Sequence, residues 1–124
     1  MEGKRVLLVE DDQVTAKLYG KLLTKWGYVV HFAHDGYLAL QMIENEHYDL
    51  LFTDNQIPHI TGVELINKIT VKHPATESLL ITGDEIQAKS LNNCTILKKP
   101  IMPDYLKFQL ASILSRSNFR HYGK

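Results

Sequence analysis

Five short apolar runs alternate with stretches of helical spacing along this chain, and that alternation limits the folds open to it more than any other feature. The runs are Val6–Val9, Tyr28–Phe32, Leu50–Phe52, Leu79–Ile81 and Thr95–Lys98. Short apolar or β-branched runs bounded by charge and turn residues read as strands buried on both faces. After the first run, Asp12 can cap a helix in which Val14, Leu18, Leu22 and Leu23 recur up to Trp26, and Gly27 stops it. Asp35-Gly36 turns the chain into a second helix with Leu38, Ala39, Met42 and Ile43 on one face, ending near Glu46. Thr61 and Glu64 have capping-box spacing ahead of Leu65, Ile66 and Ile69, and that helix stops before His73-Pro74. Asp84 to about Leu91 makes only a short, weak fourth helix. Pro103 opens a last helix that uses Leu106, Leu110, Ile113 and Leu114. Strand and helix alternating on this spacing predict an α/β domain, a doubly wound five-stranded parallel sheet with helices on both faces and right-handed crossovers.

In such sheets the working groups collect at the carboxyl ends of the strands. The first run ends in Glu10-Asp11-Asp12, the third in Thr53-Asp54, the fourth in Thr82 and the fifth in Lys99. Asn55, Gln56, Ile57, Pro58 and Gly62, which follow Asp54, are loop chemistry. Three or four carboxylates at one sheet edge repel each other unless a cation sits among them. Hard oxygen ligands that leave room for water and phosphate suit Mg2+. Lys99 adds a point charge and Thr82 a hydroxyl, so the set describes a site for a phosphoryl group. Asp54 would be the nucleophile and become an acyl phosphate.

Four pieces come in order: VEDD at residues 9–12, D-x-x-x-P-x-x-x-G from Asp54 through Pro58 to Gly62, Thr82 after a hydrophobic strand, and Lys99-Pro100. Together they resemble the receiver domain of two-component response regulators, from Arg5 to about Leu114. The resemblance implies a flavodoxin-like (βα)5 fold with strand order 2-1-3-4-5 over residues 1–116, and a polar tail at 117–124. It implies that Asp54 accepts phosphate from a phosphohistidine on a sensor histidine kinase or a histidine phosphotransfer protein. Asp11 and Asp54 would bind Mg2+ directly, Glu10 through water and Gln56 through its backbone carbonyl, leaving Asp12 as a helix cap. Lys99 would pair with the phosphoryl group, aimed inward by a cis bond to Pro100, and Thr82 would swing toward it. The chain would then be a signalling switch rather than an enzyme, read by a downstream protein or a fused output domain.

Three positions and one stretch depart from the family pattern. Ile96 stands where the family carries its switch aromatic, and the stretch from Thr82 to Lys99 is about one helical turn short. Ile57 replaces a common Met and Gly83 a common Ala. These departures keep an alternative open, a receiver that acts only as a phosphorylation-independent interaction module. A phosphohydrolase working through an aspartyl phosphate needs a second acid two residues after the nucleophile, where Gln56 stands. A flavodoxin-type cofactor site needs a Ser/Thr/Gly-rich loop after the first strand, and this loop is acidic.

Length and composition agree with one soluble domain: 124 residues, 44% hydrophobic and 23% charged. The 14 basic and 14 acidic side chains balance, giving no drive toward nucleic acid or membrane. No apolar run is long enough to span a bilayer. The lone Cys94 makes no internal disulfide and fits a reducing cytoplasm. Histidines 31, 34, 47, 59, 73 and 121 show no ligand spacing, and His59, near the site, reads as a loop residue.

Overall fold

Strands β1 (Arg5–Val9), β2 (Val29–Ala33), β3 (Leu50–Asp54), β4 (Glu77–Thr82) and β5 (Cys94–Lys98) form one sheet in the order β2-β1-β3-β4-β5. Every pairing in it is parallel. The coordinates are a computed structural model that describes residues 3–83 and 94–122, with side chains as far as Arg116. Among these residues, helices α1 (Gln13–Lys25), α2 (Gly36–Asn45), α3 (Gly62–Lys72) and α4 (Pro103–Tyr122) cover the sheet. The helix expected over Asp84 to Leu91 lies outside the described residues.

Side chains alternate across a strand, so each central strand feeds two cores. Val6, Leu8, Leu50, Phe52, Leu79 and Ile81 meet Leu23 of α1 and Leu106, Leu110, Ile113 and Leu114 of α4. Leu7, Val9, Leu51 and Leu80 meet Ala39 and Ile43 of α2 and Leu65, Ile66 and Ile69 of α3. That two-sided burial is why these strands read as continuous apolar runs.

Helix ends follow their local chemistry. Asp12 caps α1 by accepting from Thr15 N at 2.9 Å. Thr61 and Glu64 close a full capping box on α3. At the end of α1, Gly27 takes φ 97°, its N–H reaches Thr24 O, and the Tyr28 N–H reaches Leu23 O. This is the reciprocal pair of bonds by which a left-handed glycine ends a helix. Tyr28 is therefore part of the helix stop, and β2 begins one residue later than its apolar pattern implies.

Three further expectations are corrected. Val14 and Leu18 do not face the core; they are 77% and 58% exposed. Tyr19, Leu23 and Trp26 carry the buried stripe of α1, and each step along a helix turns the face by about 100°. Strand β4 starts two residues early, at Glu77 and Ser78, both buried. Pairing with Leu50 and Leu51 extends it there, and tertiary pairing of this kind leaves no apolar trace. Finally, α4 continues to Tyr122 through residues expected to form the tail. Adding a residue to an existing helix gains a hydrogen bond without a new nucleation cost, and no Pro or Gly interrupts before Gly123.

Candidate functional site

The carboxyl ends of β1, β3, β4 and β5 bring the predicted residues to one edge. Asp54 is the last residue of β3, and its side chain is 11% exposed. Lys99 follows β5 directly, and its Nζ donates to Asp54 Oδ2 at 2.7 Å. The Lys99–Pro100 bond is cis. The other carboxylate oxygen, Oδ1, accepts from the Gln56 backbone N–H at 3.1 Å. Thr82 is buried at the end of β4, and its carbonyl accepts from Lys99 N at 2.8 Å. Of the β1 acids, Glu10 is buried and Asp11 and Asp12 are exposed. Glu10 turns back, accepting from Asp12 N at 3.1 Å.

The electrostatics of this edge are unbalanced. Burial, with the nearby charges of Asp54 and Asp11, pushes Glu10 up to about 7, against the hydrogen bond from Asp12 and the charge of Lys99. Burial works against the Lys99 ammonium, but the Asp54 hydrogen bond and charge, helped by Glu10 and Tyr19, hold its pKa above the usual lysine value. Asp12 lies below the usual carboxylate range because the Thr15 hydroxyl and amide both bind it. It is committed to the helix cap.

The glycine of the D-x-x-x-P-x-x-x-G stretch has a steric reason. A Cβ on Gly62 would meet the Asp54 carbonyl oxygen at 2.5 Å and Asn55 Cα at 2.9 Å. The first residue of α3 thus sits on the end of β3, with Gly62 N bonded to Asn55 O at 2.9 Å. Asn55 Oδ1 also accepts from Val63 N at 3.1 Å. The β3–α3 loop is pinned at both ends.

Of two residues beside the site, Tyr19 carried no sequence signal and His59 read only as a loop residue. Tyr19 is half-buried on α1, its ring 5.0 Å from that of Phe52, within electrostatic reach of Lys99, Glu10 and Asp54. Burial raises its pKa. His59 takes φ 77° in the β3–α3 loop, a left-handed conformation that costs a non-glycine residue roughly 1–2 kcal/mol. Ile96, at the departed aromatic position, pairs with Leu80 and packs on the α2–α3 side of the sheet.

The Glu10, Asp11 and Asp54 carboxylates lie near enough for the charges of Asp11 and Asp54 to act on Glu10, and they would be the oxygen donors to an ion here. Among the described residues no three His, Cys, Asp or Glu side chains close into a metal cage. An ion here would therefore keep several waters, as Mg2+ does when one or two carboxylates hold it. A cation would also favour the ionised form of Glu10, against the burial and the neighbouring charges that raise it.

The chain belongs to the response regulator receiver domain family, whose model matches residues 6–111. It is 32% identical over 121 residues to the 3',5'-cyclic-nucleotide phosphodiesterase regA of Dictyostelium discoideum, covering 89% of this chain and 15% of that protein. The signal receiver domain of an HD domain-containing protein from Pseudomonas fluorescens Pf-5 superposes with a TM-score of 0.89 at 27% identity, covering 98% and 94% of the two chains. The receiver domain of the sensor histidine kinase PA1611 from Pseudomonas aeruginosa PAO1, which has a magnesium ion coordinated in its active-site cleft, shares the fold. Its TM-score is 0.82 at 24% identity, covering 91% and 98%. The chain is thus a receiver domain of two-component signalling. No helix among the described residues is long and apolar enough to cross a membrane.

Proposed function

We propose that this receiver is a working phosphoacceptor switch in which Asp54 takes a phosphoryl group from a phosphohistidine on a sensor kinase or histidine phosphotransfer protein. The observation that carries the reading is the Lys99 Nζ–Asp54 Oδ2 contact of 2.7 Å beside the raised Glu10 carboxyl. An Asp54 oxygen attacks phosphorus as the nitrogen–phosphorus bond breaks, and the imidazole leaves with the electron pair. Lys99 pairs with the acceptor carboxylate and lies within reach of a phosphoryl oxygen once the bond forms. The Gln56 N–H orients the carboxylate through Oδ1. Thr82, buried at the neighbouring strand end, is the hydroxyl available to respond to the new anion.

Mg2+, held by Asp11, Asp54 and the Gln56 carbonyl with Glu10 through water, would neutralise charge on the transferring group. Val14 and Leu18, exposed one turn apart after the acidic turn, offer an apolar surface to the donor protein. Residues 1–116 would form the receiver unit, working in the cytoplasm, with its output in a partner or in a further part of a longer chain, as the 15% coverage of the phosphodiesterase illustrates.

The test is labelling with acetyl phosphate and Mg2+, read by intact-protein mass. One phosphoryl group should add to the wild type and none to Asp54→Asn. A wild type that takes no label would favour the interaction-module alternative.

A further inference from the structure

His59 stands three residues after Gln56 with φ 77°, a backbone that a histidine keeps only when its surroundings hold it. What holds it comes from the β2–α2 corner. Its ring stacks on Tyr37, centroids 5.0 Å apart and planes 10° from parallel. Its Nε2 is 3.8 Å from Asp35 Oδ2. Asp35 is itself fixed as the cap of α2, accepting from Leu38 N at 2.7 Å. His34 Nε2 lies 3.3 Å from the same carboxylate oxygen. Beside this cluster Ile60 rests on Gly36, where a Cβ would meet Ile60 Cγ1 at 2.4 Å. Both imidazoles thus face the one Asp35 carboxylate oxygen.

We propose that His59 is a positioning residue: clasped by Tyr37 and Asp35, it holds the β3–α3 loop so that the Gln56 N–H keeps Asp54 aimed for phosphoryl transfer. It touches neither acceptor nor donor and acts through the loop. The proposal rests on Asp54 being the phosphoacceptor. Small misplacements matter at such a site, since about 1 Å can cost on the order of a hundredfold in rate.

The test pairs His59→Gly, which accepts the left-handed backbone and removes the clasp, with Tyr37→Ala and the double variant. Acetyl-phosphate labelling should slow roughly tenfold in each single variant, at an unchanged half-saturating concentration and melting temperature. The double variant should be no slower than either, because the two residues act as one unit. Faster hydrogen exchange at the Gln56 amide should accompany the loss. Folded variants that label at the wild-type rate, or losses that multiply in the double variant, overturn the clasp. If the wild type itself takes no label, the acceptor reading fails instead. Gln56 exchange then decides alone, and an unchanged rate in His59→Gly overturns the clasp.

Discussion

Both ends of the sheet are rich in charge, and they use it in opposite ways. At the amino end Glu46 is met by Arg5 Nη2 at 3.1 Å and by the Tyr48 hydroxyl at 3.1 Å. Asp49 accepts from the Arg5 amide at 2.8 Å, and buried Glu77 has Arg116 at 3.8 Å. Arg5 also lies over the Tyr48 ring, 5.2 Å from its centroid. These carboxylates each have a donor or a cation, and together they tie strand starts and the end of α2 into one network. At the carboxyl end Glu10 and Asp54 both act on Lys99, whose hydrogen bond goes to Asp54, and Asp11 adds its charge beside Glu10. Burial first, and then the charges of Asp54 and Asp11, push Glu10 up to about 7. Matched charge holds a fold together; unmatched charge awaits a ligand.

Labelling gives the largest expected contrast. Asp54→Asn should abolish it. Arg5→Ala, also a charge deletion, should leave its rate unchanged while lowering stability by about 1 kcal/mol, read by denaturant melts. If Arg5→Ala also silenced labelling, the two ends would not divide the work as described.

Next in size is a pH effect. Glu10 in the folded state titrates near 7, above its ordinary 4.5, so the folded state binds more protons than the unfolded state between those values. The advantage of the protonated form is complete below about 4.5 and is lost as pH rises through about 7. In metal-free buffer this component should lower stability between about pH 5 and pH 8 by at most about 3 kcal/mol. Glu10→Gln should remove it, as seen in urea melts of the two proteins across that range. Parallel pH slopes would take Glu10 out of the unmatched set.

Gly62→Ala sharpens the boundary between packing and chemistry. An added Cβ should cost about 1–3 kcal/mol by overpacking and, unlike Arg5→Ala, should also slow labelling, because it presses on the Asp54 carbonyl. Normal labelling in a destabilised protein would show that the strand end absorbs the push. Gly83→Ala should be the mildest change, within about 0.5 kcal/mol, since its Cβ meets nothing within 4 Å among the described residues. A larger shift in its melting midpoint would give that glycine a role that its described neighbours do not explain.

Much of this was legible in the chain itself. The caps at Asp12 and Thr61 depend on side-chain oxygens a few residues from the amides they bind, so local spacing reveals them. The polar residues closing the apolar runs pointed to one edge, because parallel strands with helical crossovers all present the same end. Glu77 and Ser78 stayed hidden, since their burial comes from pairing with a strand more than twenty residues away. Val14 and Leu18 misled for a related reason: a helix with apolar residues on two neighbouring stripes is oriented only by what it packs against.

By itself, then, the sequence determined the alternation, the parallel sheet and the set of acids, hydroxyl and lysine at its carboxyl edge, because period and spacing are local properties of a chain. Only the tertiary structure decided that Lys99 bonds to Asp54, that burial and crowding raise Glu10, that Gly62 must lack a Cβ, and that His59 reaches back to Tyr37 and Asp35. Each of these depends on distances between residues brought together from separate elements, and such distances are set only when both faces of the sheet have been packed.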